Sequence, residues 1–100
     1  MDNRKAEYEQ IYTTLRFFDH RGTFEVLDAL HRQPRRYGHL IDDVRVFVPH
    51  PATVNGCLHR LVDEGLVCHR EEWYQLSPKG AQALTLFRSC VKKVGRIGGA

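Results

Sequence analysis

The sequence predicts a mainly α-helical chain carrying a small β-hairpin, and two observations carry that expectation. Apolar residues recur at helical spacing in five stretches, most of them marked off by proline, glycine or a capping residue. Only Leu66–Arg70 and Trp73–Leu76 read as strands, and a short Glu71-Glu72 link lies between them. One hundred residues at 42% hydrophobic fit a single domain over 1–100, with a core small enough for self-association to help stability. Its ends, 1–5 and 95–100, read as mobile.

The first helix runs from about Ala6 to Phe18, with Tyr8, Ile11, Tyr12, Leu15 and Phe18 on one side. Phe17 points the other way and needs a second surface to cover it. Asp19-His20-Arg21-Gly22 breaks this helix, and a second follows with Phe24, Leu27 and Leu30 inward, ending before Pro34. Arg35-Arg36-Tyr37 is too short for a free strand but can pair as an edge. Tyr37, Leu40, Ile41 and Val44 fall at i, i+3, i+4 and i+7, which places a third helix over about Gly38 to Val44. Asp42 and Asp43 sit near its C-terminus, where the macrodipole disfavours them, a placement with no evident physical account. Arg45 to Pro49 is a connector whose Val46-Phe47-Val48 is expected to pack inward.

The fourth helix spans Pro51 to Glu64. Proline suits its first position, where the missing N–H has no partner, and Gly65 suits the left-handed stop. Between the two strands, glutamates are poor at the positive-φ positions of a two-residue turn, so a wider loop is expected. Ser77-Pro78, a capping hydroxyl before proline, opens the last helix, about Pro78 to Val94. Leu84, Phe87, Val91 and Val94 form a heptad-like stripe on it, and Ala83, Leu86 and Cys90 a neighbouring one. One stripe closes the domain's own core and the other is left for a partner helix. Which stripe faces the partner stays open.

The fourth helix carries the most functional information. Val54, Cys57, Leu58, Leu61 and Val62 make its apolar face, while Ala52, Gly56, His59 and Asp63 lie opposite, flanked by Thr53, Asn55 and Arg60. A helix meant only for water usually carries long charged side chains there; this face is poor in bulk and rich in short hydrogen-bonding groups. Such a surface suits a DNA groove. Ala52 and Gly56 let the backbone approach base edges, and Thr53 offers a hydroxyl and a methyl. Asn55 can pair with adenine, Arg60 with guanine or a phosphate, and His59 with either according to its protonation. The alternative is a plain amphipathic surface helix.

Two helices joined by a short turn and followed by a two-stranded wing describe a winged helix-turn-helix. Three segments carry a family resemblance: Pro34-Arg35-Arg36-Tyr37-Gly38-His39-Leu40; His50-Pro51 leading to Leu58-His59-Arg60-Leu61-Val62-Asp63-Glu64-Gly65-Leu66-Val67; and Tyr74-Gln75-Leu76-Ser77-Pro78-Lys79-Gly80. Together they resemble the HxlR group of bacterial transcription regulators, and the related MarR and PadR groups share the second and third segments. The resemblance covers about residues 15 to 90. A cysteine near the N-terminus and a tryptophan near Gly22, usual in that group, are absent here, and Thr23-Phe24 follow Gly22 instead. The resemblance implies a DNA-binding homodimer, with the first and last helices forming the interface.

On this reading Ala52, Thr53, Asn55, Gly56, His59 and Arg60 contact bases, and Arg35, Arg36, His39, Arg70 and Lys79 contact phosphate. Tyr8, Ile11, Tyr12, Phe17, Leu84, Phe87, Val91 and Val94 form the dimer interface. The Glu71-Glu72 tip repels phosphate and argues against deep insertion of the wing. A pocket between the first and last helices can take an aromatic effector through Tyr8, Tyr12 or Phe17; the competing assignment for these residues is interface core. A winged helix serving protein interaction without DNA is the alternative function, kept open by the modest net charge of +3 and the acidic tip.

Other classes find little support. No run approaches the roughly 20 apolar residues that span a bilayer, and the polar first ten residues are no secretory signal. Three cysteines without CxxC spacing fit reduced thiols in the cytoplasm, and Cys57, Cys68 and Cys90 read as small core fillers. Six histidines show no metal-ligand spacing with them, so neither a metal site nor a cofactor is expected. With no Gly-rich phosphate loop, serine elbow or carboxylate pair flanked by aromatic structure, neither is catalysis.

Overall fold

The structure is a computed structural model describing residues 3–98, and of 94–98 the backbone alone. It is mainly helical: α1 (Arg4–Phe18), α2 (Thr23–Arg32), β1 (Arg35–Arg36), α3 (Tyr37–Val44), α4 (Pro51–Asp63), β2 (Val67–Arg70), β3 (Trp73–Leu76) and α5 (Pro78–Gly98). The strands form one antiparallel sheet of order β1-β3-β2, so Arg35-Arg36 does pair as an edge and the hairpin becomes three-stranded. The arrangement is compatible with a winged-helix-like fold. α1 begins at Arg4 and α5 runs to Gly98, so helix extends into both ends expected to be mobile; residues 1–2 and 99–100 lie outside the described set.

Helix α2 is the hub, packing on α3, α4, α5 and β3. Its start is set by Gly22, whose N–H donates to the Glu25 carboxylate at 3.1 Å. The core joins Val26, Leu27 and Leu30 of α2 to Leu40 and Val44 of α3, Val54, Leu58 and Leu61 of α4, and Leu66, Val67 and Leu84 beyond. Burying each such side chain contributes about 1.5–3 kcal/mol. Phe17, Phe18 and Phe24 flank this core, and Phe87 packs outside them, with Phe18 lying 4.5 Å from Phe87 and 5.7 Å from Phe24 between centroids. α1, by contrast, has no buried residue, and Tyr8, Ile11, Tyr12 and Leu15 stay exposed.

The end of α4 is closed by a Schellman pair, Leu66 N–H to Leu61 O at 2.9 Å and Gly65 N–H to Val62 O at 3.0 Å. Gly65 takes the left-handed φ of 76° this requires. The start of α5 locks onto the same place. Ser77 Oγ donates to Gly65 O at 2.6 Å and accepts the Gly80 N–H at 3.0 Å, while Ser77 N–H donates to Leu66 O. A Cβ on Gly80 would lie 2.1 Å from Leu66 O, so only glycine lets α5 seat here.

Three expectations are corrected. Phe47 and Val48 N–H both donate to Val44 O, a tight turn that turns Val46 and Phe47 outward, 85% and 67% exposed, and leaves only Val48 in the core. Arg70 pairs with Trp73, so the hairpin loop is the two residues Glu71-Glu72, with Glu71 at φ 55°. Pairing of β3 on both edges outweighs one strained residue at the turn. The stripes of α5 divide along its length: Leu84 is buried and Ala83 half-buried near its start, whereas Leu86, Cys90 and Val91 are exposed further on. The body is too short to cover the later turns.

The charge placement on α3 is explained by one partner from β1 and one from the residue just past the helix end. Asp43 pairs with Arg35 at 3.5 Å and Asp42 with Arg45 at 2.7 Å, which offsets the unfavourable helix end.

Two substitutions test these contacts by urea denaturation. Gly80→Ala is expected to lower stability by about 3 kcal/mol or more through the clash with Leu66. Thr23 Oγ1 is buried without a hydrogen-bond partner, so Thr23→Val is expected to be neutral or to stabilise by about 1 kcal/mol.

Candidate nucleic-acid interface

The inner face of α4, Val54, Cys57, Leu58 and Leu61, is buried, and Val62 is half-buried. Anchored on that side, the helix presents Ala52, Thr53, Asn55 and His59 to solvent. Gly56 is half-buried, yet the space above it is open: a Cβ there would meet only Arg60 Nη1, at 3.9 Å. Arg60 is half-buried because it lies back along its own helix, donating to Cys57 Sγ at 3.4 Å. Pro51 at the first position and the His50 carbonyl, which accepts the Thr53 N–H at 3.0 Å, start the helix without a side-chain cap. The surface so formed is narrow, uncharged over its first turns and lined by short donors and acceptors.

The basic residues divide into two sets. Arg35 belongs to the body: its side chain is 14% exposed, its Nε donates to Ala29 O at 3.1 Å, and Asp43 pairs with its guanidinium. Placing it among exposed phosphate contacts is therefore corrected. Strand alternation gives the physical reason, since Arg35 pairs with half-buried Tyr74 on the inner side of the sheet. Lys79 is exposed but engaged, its Nζ donating to Glu64 O at 2.8 Å beyond the end of α4. Arg36 and Arg70 share the outer side, each directly opposite Trp73. The Arg36 guanidinium lies over the Trp73 ring at 5.0 Å, and Glu72 stands 3.7 Å from its Nε. His39 on α3 is exposed.

Arg36 and Arg70 are both expected among the phosphate contacts, but their meeting across Trp73 is not legible in the sequence, because they lie far apart in the chain and only the strand register joins them. The inner side of the same sheet stacks His69 on Tyr74, with centroids 4.0 Å apart. Burial, with Tyr37 close by, pushes the Tyr74 phenol above its ordinary pKa of 10.0.

Among the residues assigned to a dimer interface, Tyr8, Ile11, Tyr12 and Val91 are exposed and Phe17 and Phe87 half-buried. Leu84, 3% exposed, is corrected to a core residue; Val94 lies outside the described side chains. A groove of about 970 Å³ opens between α1, α2 and α5, with Tyr12, Leu15 and Phe87 in its wall. Of the three aromatic residues named for an effector, only Tyr12 lines it. Its rim is charged: Asp28 pairs with Arg32 at 3.2 Å and with Arg88. Among the described residues no group of three or more His, Cys, Asp or Glu could hold a metal ion, and no helix is long and apolar enough to cross a membrane.

Comparison with family models, with curated proteins and with solved structures finds no match to the chain.

The different settings of adjacent arginines give a direct test. Arg35→Ala removes a largely buried side chain and takes its donor from the Ala29 carbonyl, and is expected to cost about 1–3 kcal/mol, whereas Arg36→Ala is expected to stay within about 0.5 kcal/mol of the parent. Chemical denaturation of the two variants side by side checks this.

Proposed function

We propose that the chain is a winged helix-turn-helix regulator of transcription that binds duplex DNA as a homodimer. α4 enters the major groove with Ala52, Thr53, Asn55, Gly56, His59 and Arg60 toward the bases. The observation that carries this reading is the outer face of α4: small, polar and open above Gly56, on a helix whose other side is held in the core. Arg36 and Arg70, brought to one side of the sheet, supply phosphate contacts with His39. The exposed stripe of α1, Tyr8, Ile11 and Tyr12, together with Val91, Phe17 and Phe87, supplies the contact between copies. Two copies then place their α4 helices in half-sites about one turn (~34 Å) apart on a near-palindromic operator. Repression by occluding the promoter is the simplest action for so small a protein.

A second reading is a protein-interaction module without DNA binding. Exposed Val46 and Phe47 favour it, as does the acidic Glu71-Glu72 tip.

Selection of duplexes from a random pool, followed by mobility-shift titration at two salt concentrations, separates the two. The DNA reading expects affinity that falls steeply with salt. Asn55→Ala is expected to relax sequence preference, and Arg36→Ala to weaken all duplexes alike while reducing the salt slope by about 1. No selected duplex, or salt-independent retention, favours the protein module. For the dimer, Tyr12→Glu or Val91→Glu is expected to give a monomer in sedimentation with helix content kept; an unchanged mass moves the interface elsewhere.

A further inference from the structure

Arg60 is the one long side chain among the proposed base contacts. A free arginine at such a position samples many rotamers and loses that freedom on binding. This one is already held. Its Nη2 donates to Cys57 Sγ at 3.4 Å, and its Nη1 passes 3.9 Å from where a Cβ on Gly56 would stand. The guanidinium therefore runs along the helix surface beside the open step at Gly56.

The sulfur that holds it is held in turn. Cys57 is 1% exposed, and its thiol donates to Arg21 O at 3.2 Å. A thiol has a single proton. Committed to the Arg21 carbonyl, it leaves the sulfur lone pairs for the Arg60 N–H, so the relay has one direction: Arg60 N–H to Sγ, then S–H to Arg21 O. The far end is firm as well. Arg21 precedes Gly22, whose N–H is bonded to Glu25 at the start of α2, and a Cβ on Gly22 would lie 3.1 Å from the sulfur. The turn between α1 and α2 is thus packed directly on Sγ. An alanine would leave space here, and a valine would fill it without offering an acceptor.

We propose that Cys57 is a positioning residue for Arg60, tying the orientation of this guanidinium to the α1–α2 turn and presenting it to nucleic acid in one arrangement. The binding role rests on the DNA reading of α4, whereas the positioning itself does not. The sulfur engages one N–H of the guanidinium through Nη2 and leaves its other N–H groups for an acceptor on a base or phosphate, so Arg60 stays restrained as it binds. Cys57 does not touch the nucleic acid.

Two measurements test this on the full chain. The first needs no DNA: ¹⁵N relaxation of the Arg60 Nε–Hε group in the parent, Cys57→Val, Cys57→Ala and Cys57→Ser. The expected result is a restricted guanidinium in the parent, released in the valine and alanine variants and at least partly restrained in the serine variant. Equal mobility in all four overturns the proposal. Two acceptor-less variants are included so that one still reports if the other fails to fold. The second is a double-mutant cycle with Arg60→Ala on the duplex selected by the parent. Cys57→Val is expected to weaken binding about fivefold when Arg60 is present, the scale of immobilising one long side chain, and not at all in the Arg60→Ala background. An equal loss in both backgrounds makes Cys57 a packing residue only and overturns the proposal. If the parent selects no duplex, the DNA reading falls and the relaxation measurement alone decides the positioning role.

Discussion

One small cluster of hydrogen bonds, between Glu64–Leu66 and Ser77–Gly80, holds the rest of the architecture in place. A helix that ends against a sheet must satisfy its last carbonyls, reverse direction and launch a strand. Gly65 makes the reversal, the Schellman pair satisfies Leu61 and Val62, and Ser77 takes the carbonyls of Gly65 and Leu66. Lys79 takes that of Glu64. The same serine caps α5 through the Gly80 N–H. Helix end, strand start and helix start are therefore one unit. Its consequence for function is orientation: with the inner face of α4 in the core and its end clamped, the helix has no freedom to roll, and its small polar side stays outward.

Strand geometry makes a second division, between neighbours in sequence. Arg35 and Arg36 are adjacent and chemically identical, yet alternation sends one inward to Ala29 and Asp43 and the other outward over Trp73. The inward arginine strengthens the joint between α2, β1 and α3 and resolves the otherwise unfavourable Asp43. The outward one joins Arg70 across the tryptophan. Two positive charges on one side of a three-stranded sheet form a more useful electrostatic surface than their separation in sequence suggests. Glu72 beside Arg36 tempers that surface.

The core is compact, and it leaves apolar area uncovered. α1 contributes no buried residue, although Tyr8, Ile11, Tyr12 and Leu15 repeat on one side of it. The later turns of α5 carry exposed Leu86 and Val91, and the turn before α4 carries exposed Val46 and Phe47. A chain of one hundred residues has limited means to bury all of this internally, and such surface is the expected raw material of an interface. The proposed dimer and the rival protein-interaction module both draw on it, and they differ in whether α4 meets nucleic acid.

Local chemistry was enough to read the elements. Proline at position 51, glycine at 65 and serine-proline at 77–78 act through φ preference, missing N–H groups and capping, all of which operate within a few residues. Helical periodicity likewise identified the buried side of α4 and the core positions Leu27, Leu30, Leu40 and Val44. What remained hidden depended on partners distant in sequence. Whether Arg35 meets water or Asp43, whether Leu84 is buried or exposed, and whether the Cys57 thiol merely fills space or bonds the Arg21 carbonyl are settled by packing between elements. The sequence specifies which groups are available; only the folded register and the height of the core decide which of them are consumed inside and which are left to act outside.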